Sequence, residues 1–333
     1  MKKPTLQGFI MAISAAICWG FSGTFCQYLF QKRGISVEWM ITVRMLGAGV
    51  LLLLYAGFIQ KLPLLSIFKR KNDSIALITF TIFGMVAVQY TYFAAIRHSN
   101  AGTATVLQYA GPVLIAIYLA IKSRKLPGIA TGIAIILATL GTILLVTHGH
   151  FGTLAISKTA LVLGLSSAVA LAIYTLQPLR LLSAYKSSII IGWSMLIGGI
   201  LFSCIHAPWQ ATGSWDMLAI GAVGFIILFG TLIAFSLYMT AVQLIGGQMT
   251  SLLASAEPLS ATILAVVWLH TSFQLMDWIG SLMIISTIFF LSSADKKTKK
   301  LPVASGEIQK DPTLLSAQLK EVLDAPEILE KAG

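Results

Sequence analysis

Residues 101–121 read AGTATVLQYAGPVLIAIYLAI, and residues 247–267 read GQMTSLLASAEPLSATILAVV. Overlaid at an offset of 146, they place Leu107 on Leu253, Ala110 on Ala256, Pro112 on Pro258 and Ile117 on Ile263. The register continues upstream without a gap, with Phe83-Gly84 on Phe229-Gly230, Tyr92 on Tyr238 and Ala95 on Ala241. Leucine and alanine coincide often in apolar sequence. The Phe-Gly pair, the tyrosine and the proline therefore carry the match. Both stretches are apolar runs of the roughly 20 residues that a membrane-crossing helix needs.

Composition extends this reading to the whole chain. Of 333 residues, 57% are hydrophobic and 11% charged, against about 25% charged in a soluble protein. So few charges cannot cover a soluble surface, and the apolar remainder must meet lipid. Ten apolar runs are expected to span: residues 8–30, 37–59, 75–96, 101–121, 128–147, 160–182, 188–206, 217–242, 247–269 and 275–293. The runs are continuous rather than alternating, which selects helices over barrel strands. The first run is too long for a signal peptide and lacks a clear cleavage site, so it reads as an uncleaved span.

Basic residues set the orientation. With the N-terminus inside, the inner segments hold Lys2 and Lys3, Lys61 to Lys71, Lys122 to Lys125, Arg180, Lys186 and Lys296 to Lys300. The outer ones hold only Lys32, Arg33, Arg97 and Lys158. Both termini are expected in the cytoplasm, with an even number of spans. The net charge of +11 is then topology, not nucleic-acid binding. Five spans per half is odd, so the halves run in opposite senses. This inverted repeat is an architecture of secondary transporters, which place the solute site near the midplane between the repeats. The expected fold is all-α, with a first five-helix repeat at 6–148, a second at 158–293 and a polar cytoplasmic tail at 294–333. Asp311-Pro312 could start a short helix in that tail.

The residues resemble the EamA family of the drug/metabolite transporter superfamily over about residues 6–293. The likeness rests on Cys18-Trp19-Gly20-Phe21, Arg44, Ala101-Gly102-Thr103-Ala104 leading to Pro112, and the run from Gly247 to Glu257-Pro258. The resemblance implies ten helices around a central cavity, alternating access and a small-metabolite solute, often amino-acid-like, with export common. Many members carry a Glu-Arg pair at the inner end of the fourth span. Here the stretch is Lys122-Ser123-Arg124-Lys125, and its counterpart is His270-Thr271-Ser272, so no role of that acid carries over.

Arg44 and Glu257 are the firmly charged residues deep in the spans, and a charge at the bilayer centre costs about 2.5–3.5 kcal/mol even on insertion scales. Glu257 could bind a proton or a cationic group, and Arg44 an anionic one; a structural ion pair would serve equally. Pro112 and Pro258 each lack an N–H and should free the carbonyls of Gln108 and Ala254. That suits a solute site or hinge, and also a plain packing kink. Trp19 and Tyr174 lie mid-span, where a polar-tipped ring needs a partner. Tyr92 and Tyr238 lie toward span ends, where an interfacial role competes with cavity lining. Tyr109, Gln89 and Gln108 complete the candidate substrate-binding set.

The histidines at 98, 148, 150, 206 and 270 fall near span ends without metal-site spacing. Cys18, Cys26 and Cys204 form no motif, and no GxxxxGK[ST] nucleotide loop occurs. No catalytic constellation, cofactor or metal is expected. The partners expected are lipid, a small solute and candidate protons. Two other classes remain open: a sensor or scaffold acting through the tail, and an intramembrane enzyme.

Overall fold

Among the described residues, seven helices are long and apolar enough to cross a membrane and three more are apolar but shorter. They are α1 (Leu6–Lys32), α2 (Val37–Ile59), α3 (Lys71–His98), α4 (Ala101–Lys122), α5 (Ile129–Thr147), α6 (Lys158–Ala184), α7 (Ser187–Ser203), α8 (Met217–Val242), α9 (Ala256–Leu269) and α10 (Leu275–Phe290). The computed structural model describes residues 6–122, 124, 128–148, 155–245, 250 and 253–299. The junction at 246–249, Ser251, His150, Lys2, Lys3, Ser123, Lys125 and the tail from Lys300 lie outside them. The helix of α10 continues past its apolar part to Lys299.

Polar side chains start several of these helices. Ser36, Asn100, Ser157 and Asp216 accept the N–H of Trp39, Thr103, Ala160 and Ala219 at 2.8–3.1 Å. Each satisfies a donor that the first helical turn cannot. Along the spans, Val162, Ile220 and Val267 are exposed, as a lipid-facing surface requires.

Packing interleaves the two halves. Helix α1 packs on α8 and α9, and α6, its counterpart in the second half, packs on α3 and α4. Helix α2 packs along α7. Glycines bring backbones together at these crossings. A Cβ on Gly20 would lie 2.7 Å from the Glu257 carbonyl oxygen, and one on Gly141 2.7 Å from the Gly280 carbonyl oxygen. Small residues at such contacts allow the van der Waals packing that holds helices together in lipid. Each half's first helix thus lies against the other half's third and fourth.

The Phe-Gly pairs of the repeat fall within wider helical turns. Phe80–Val86 in α3 and Leu228–Ile233 in α8 wind as π-helix. Gly84 lies there beneath Tyr174 of α6, and Gly230 beneath Ser22 of α1. Single π-turns inside α-helices occur often at functional sites.

Candidate functional site

Helix α4 is broken at Tyr109 and Ala110, between a helix ending at Gln108 and one beginning at Gly111. The related break lies at Ser255, just ahead of the helix that begins at Ala256. In each case the proline sits in the first turn of the restarting segment, a position that tolerates its missing N–H provided the carbonyl it would have met finds another donor. The Tyr109 hydroxyl donates to the Ala254 carbonyl at 2.8 Å and lies 3.2 Å from Glu257 Oε2. Thus the carbonyl released by Pro258 is held by a side chain from the opposite half.

Arg44 projects from α2 between α3 and α8. Its Nη1 donates to Gln89 Oε1 at 3.3 Å and its Nε to Thr231 Oγ1 at 3.2 Å. The guanidinium carbon lies 5.0 Å from the centroid of the Phe93 ring, within cation–π range. Thr231 belongs to the π-helical turn of α8, and its hydroxyl donates to the Ile226 carbonyl at 3.1 Å. Arg44 and Glu257 lie within electrostatic reach of each other, yet among the described residues neither takes part in a direct ion pair.

The aromatic residues fall around these groups. Trp19 and Tyr238 rings are 5.3 Å apart, joining α1 to α8. Tyr92 shares a 2.8 Å hydrogen bond with Thr105 and, with Tyr109 and Tyr238, lies within reach of the Glu257 charge. The Tyr174 ring lies 5.4 Å from that of Phe80, tilted against it, and within reach of Arg44. Gln108 is buried, whereas Trp19, Arg44, Gln89, Tyr92, Tyr109, Tyr174, Tyr238 and Glu257 are half-buried. Tyr92 and Tyr238 therefore lie beside other candidates. Both charges lie within apolar spans and are largely covered by protein, as their cost in lipid requires.

Several contributors were not singled out from the sequence: Thr231, Thr105, Phe93 and the buried Cys26, which lies within reach of Arg44. Thr231 directly follows the Phe-Gly pair that marks the repeat, so its place was accessible there. The others contact across helices, and spacing gives no sign of that. Two histidines also have partners. His148 Nε2 meets the buried Asp277 at 2.9 Å, and His206 lies 3.3 Å from the Ser36 hydroxyl. Among the described residues, no group of three His, Cys, Asp or Glu side chains could hold a metal ion.

Residues 6–147 and 158–293 each match the model of the EamA-like transporter family. The chain is 38% identical over 288 residues to the Salmonella typhimurium "Uncharacterized inner membrane transporter YicL", covering 86% of this chain and 96% of the relative. It is 26% identical to the Bacillus subtilis "Uncharacterized transporter YetK", covering 90% and 91% of the two chains. A crystal structure of a protein 16% identical superposes with a TM-score of 0.59 over 88% of this chain and 99% of that one; at that identity it speaks for the fold alone.

Proposed function

Because the chain belongs to the EamA-like transporter family, we propose that its interleaved core moves a small amino-acid-like or amine metabolite by alternating access, in the direction of export. The transporter class itself follows from the family. The solute, its direction and the site are the proposal. One observation carries it: Arg44 and Glu257 lie within apolar runs, half-buried and, among the described residues, not paired with each other. Each is held by neutral groups, Arg44 by Gln89 and Thr231, Glu257 by Tyr109. A solute with a carboxylate and an ammonium would meet one opposite charge at each end. Trp19 and Tyr238 would face its body. An amine alone would use Glu257 and the rings. Pro112 and Pro258 would serve as the points about which α4 and α9 bend.

Orientation belongs to the same proposal. The basic loops assign both termini to the cytoplasm of an inner membrane. The α1–α2 and α7–α8 loops then lie outside, and the α2–α3 and α6–α7 loops inside.

A thermal-shift screen of purified protein against amino acids, amines and small organic anions tests the solute class, since a ligand that binds only the folded state raises apparent stability. Amino acids or amines should raise the midpoint and simple anions should not. Anions alone doing so would overturn the reading. In proteoliposomes, Glu257→Gln should change the pH dependence of flux. Flux unaffected at every pH would remove Glu257 as a proton site.

A further inference from the structure

Two Arg–Asp pairs join the halves outside the central cluster. Arg33, just past the end of α1, pairs with Asp216 at the start of α8. Arg180, near the end of α6, pairs with Asp73 in the first turn of α3 at 2.7 Å. Helices α1 and α6 are counterparts in the repeat, and so are α3 and α8. Each pair therefore ties the end of one half's first helix to the start of the other half's third helix. The second pair repeats the first with the halves exchanged, and inversion puts the two at opposite ends of the spans.

Each aspartate begins a helix of the same plan. From Asp73, a segment at Lys71–Thr79 leads into the π-helical turn Phe80–Val86 and on to Gln89 and Tyr92. From Asp216, a segment at Met217–Ile227 leads into the π-helical turn Leu228–Ile233, which contains Thr231, and on to Tyr238. A π-turn carries one residue more than the α-helix around it, so it offsets the faces of the segment beyond it from those of the segment before it. The helix starts held by the two ion pairs are thus linked through a π-helical turn to the residues around Arg44.

The chemistry of the pairs suits reversible contact. Asp216 Oδ1 caps its own helix at Ala219 N, 2.8 Å away, and only Oδ2 reaches Arg33. The cap survives if the pair opens. Arg33 also donates to the Tyr28 hydroxyl, so it keeps a partner on its own side. Asp73 accepts from Arg180 through one oxygen and from Tyr185 through the other, at 2.7 and 2.8 Å; the latter bond pushes the Tyr185 phenol up from its ordinary pKa. Both partners of Asp73 come from the second half. The crossing of α5 on α10, by contrast, is a backbone contact at Gly141 and Gly280 that cannot part without repacking.

We propose that Arg33–Asp216 and Arg180–Asp73 are twin gate pins, one at each membrane face, and that opening either face breaks its own pin while the other stays closed. The inference rests on the alternating-access reading above, but its test needs no solute. A Gln89→Cys reporter in the central cluster, with the cysteines at 18, 26 and 204 replaced by alanine, would be labelled with a membrane-impermeant maleimide. Right-side-out and inside-out vesicles present the two faces. Asp216→Asn keeps a capping side chain and loses the charge. It should raise the labelling rate from the face of the α1–α2 loop about two- to five-fold, the scale of a partly exposed ion pair. Asp73→Asn should do the same from the opposite face only.

Arg33→Lys and Arg180→Lys retain the charge and should remain within about two-fold of the parent. If an asparagine variant fails to reach the membrane, Arg33→Gln or Arg180→Gln breaks the same pair from the other side. A rise from both faces, or no change in either variant, would overturn the pins and leave two static staples. A transported solute that fits neither Arg44 nor Glu257 would overturn the site reading without touching this one.

Discussion

The hydroxyl of Tyr109 reaches across the repeat to the carbonyl of Ala254, 2.8 Å away, the oxygen that Pro258 leaves without a helical donor. Tyr109→Phe keeps the ring and removes the bond. A buried acceptor left unpaired costs about 1–3 kcal/mol, so this variant should unfold at lower temperature in detergent. Pro258→Ala restores the N–H, and in that background Tyr109→Phe should cost markedly less. Equal costs in the two backgrounds would mean that the ring, not the bond, holds the break together.

Arg44 and Glu257 should show a different kind of coupling. They do not touch, but each lies in the other's field. Removing one leaves the other without its compensating charge, which in a buried setting is more damaging than removing both. Arg44→Gln and Glu257→Gln should each lower stability by about 1–3 kcal/mol, and the double variant should cost less than their sum. A thermal or denaturant double-mutant cycle reads this directly. Strict additivity would show that the two charges are held independently.

The features visible beforehand share a physical reason. Ten apolar runs, two prolines and two intramembrane charges were legible because each is costly or strongly constrained along the chain itself. The tyrosines are less legible. Counted along the sequence, Tyr92 and Tyr238 lay toward span ends, yet α3 and α8 run for 28 and 26 residues. Helices longer than the roughly 20 residues needed can tilt, so distance from the end is a poor measure of depth. The π-helical turns were also out of reach, since one extra residue per turn leaves no pattern in a uniformly apolar run. Contacts between helices, such as Arg44 to Thr231 or His148 to Asp277, depend on how the halves interleave, which spacing within one helix does not encode.

Glycines divide sharply by surroundings. A Cβ on Gly141 would lie 2.7 Å from the Gly280 carbonyl oxygen, and one on Gly280 would lie 2.6 Å from that of Gly141. Backbone atoms cannot step aside, so Gly141→Ala and Gly280→Ala should each destabilise by about 1–3 kcal/mol through overpacking. Gly221 and Gly224 meet nothing within 4 Å. Alanine there should be neutral or stabilising by up to about 1 kcal/mol, because it loses less backbone entropy. Unfolding midpoints of the four variants test the contrast.

Gly230 offers a sharper case, because its obstacle is a side chain that can be removed. A Cβ there would lie 2.5 Å from Ser22 Oγ and 2.6 Å from Ser22 Cβ. Alanine gains about 1 kcal/mol of helix propensity over glycine, but forcing a methyl into a filled contact costs about 1–3 kcal/mol. The clash should win, and Gly230→Ala should lower the unfolding midpoint. Ser22→Gly deletes both obstructing atoms, so the double variant should recover most of the loss. Gly84, the counterpart in the repeat, has a different neighbour: its Cβ would meet the Phe80 ring of its own helix at 2.8 Å and the Tyr174 backbone only at 3.4 Å. Ser22→Gly should therefore give no relief to Gly84→Ala. If it rescued both, the effect would be a general loosening of α1 rather than the removal of one contact. If it rescued neither, the close approach of α1 to the π-helical turn of α8 would be wrong.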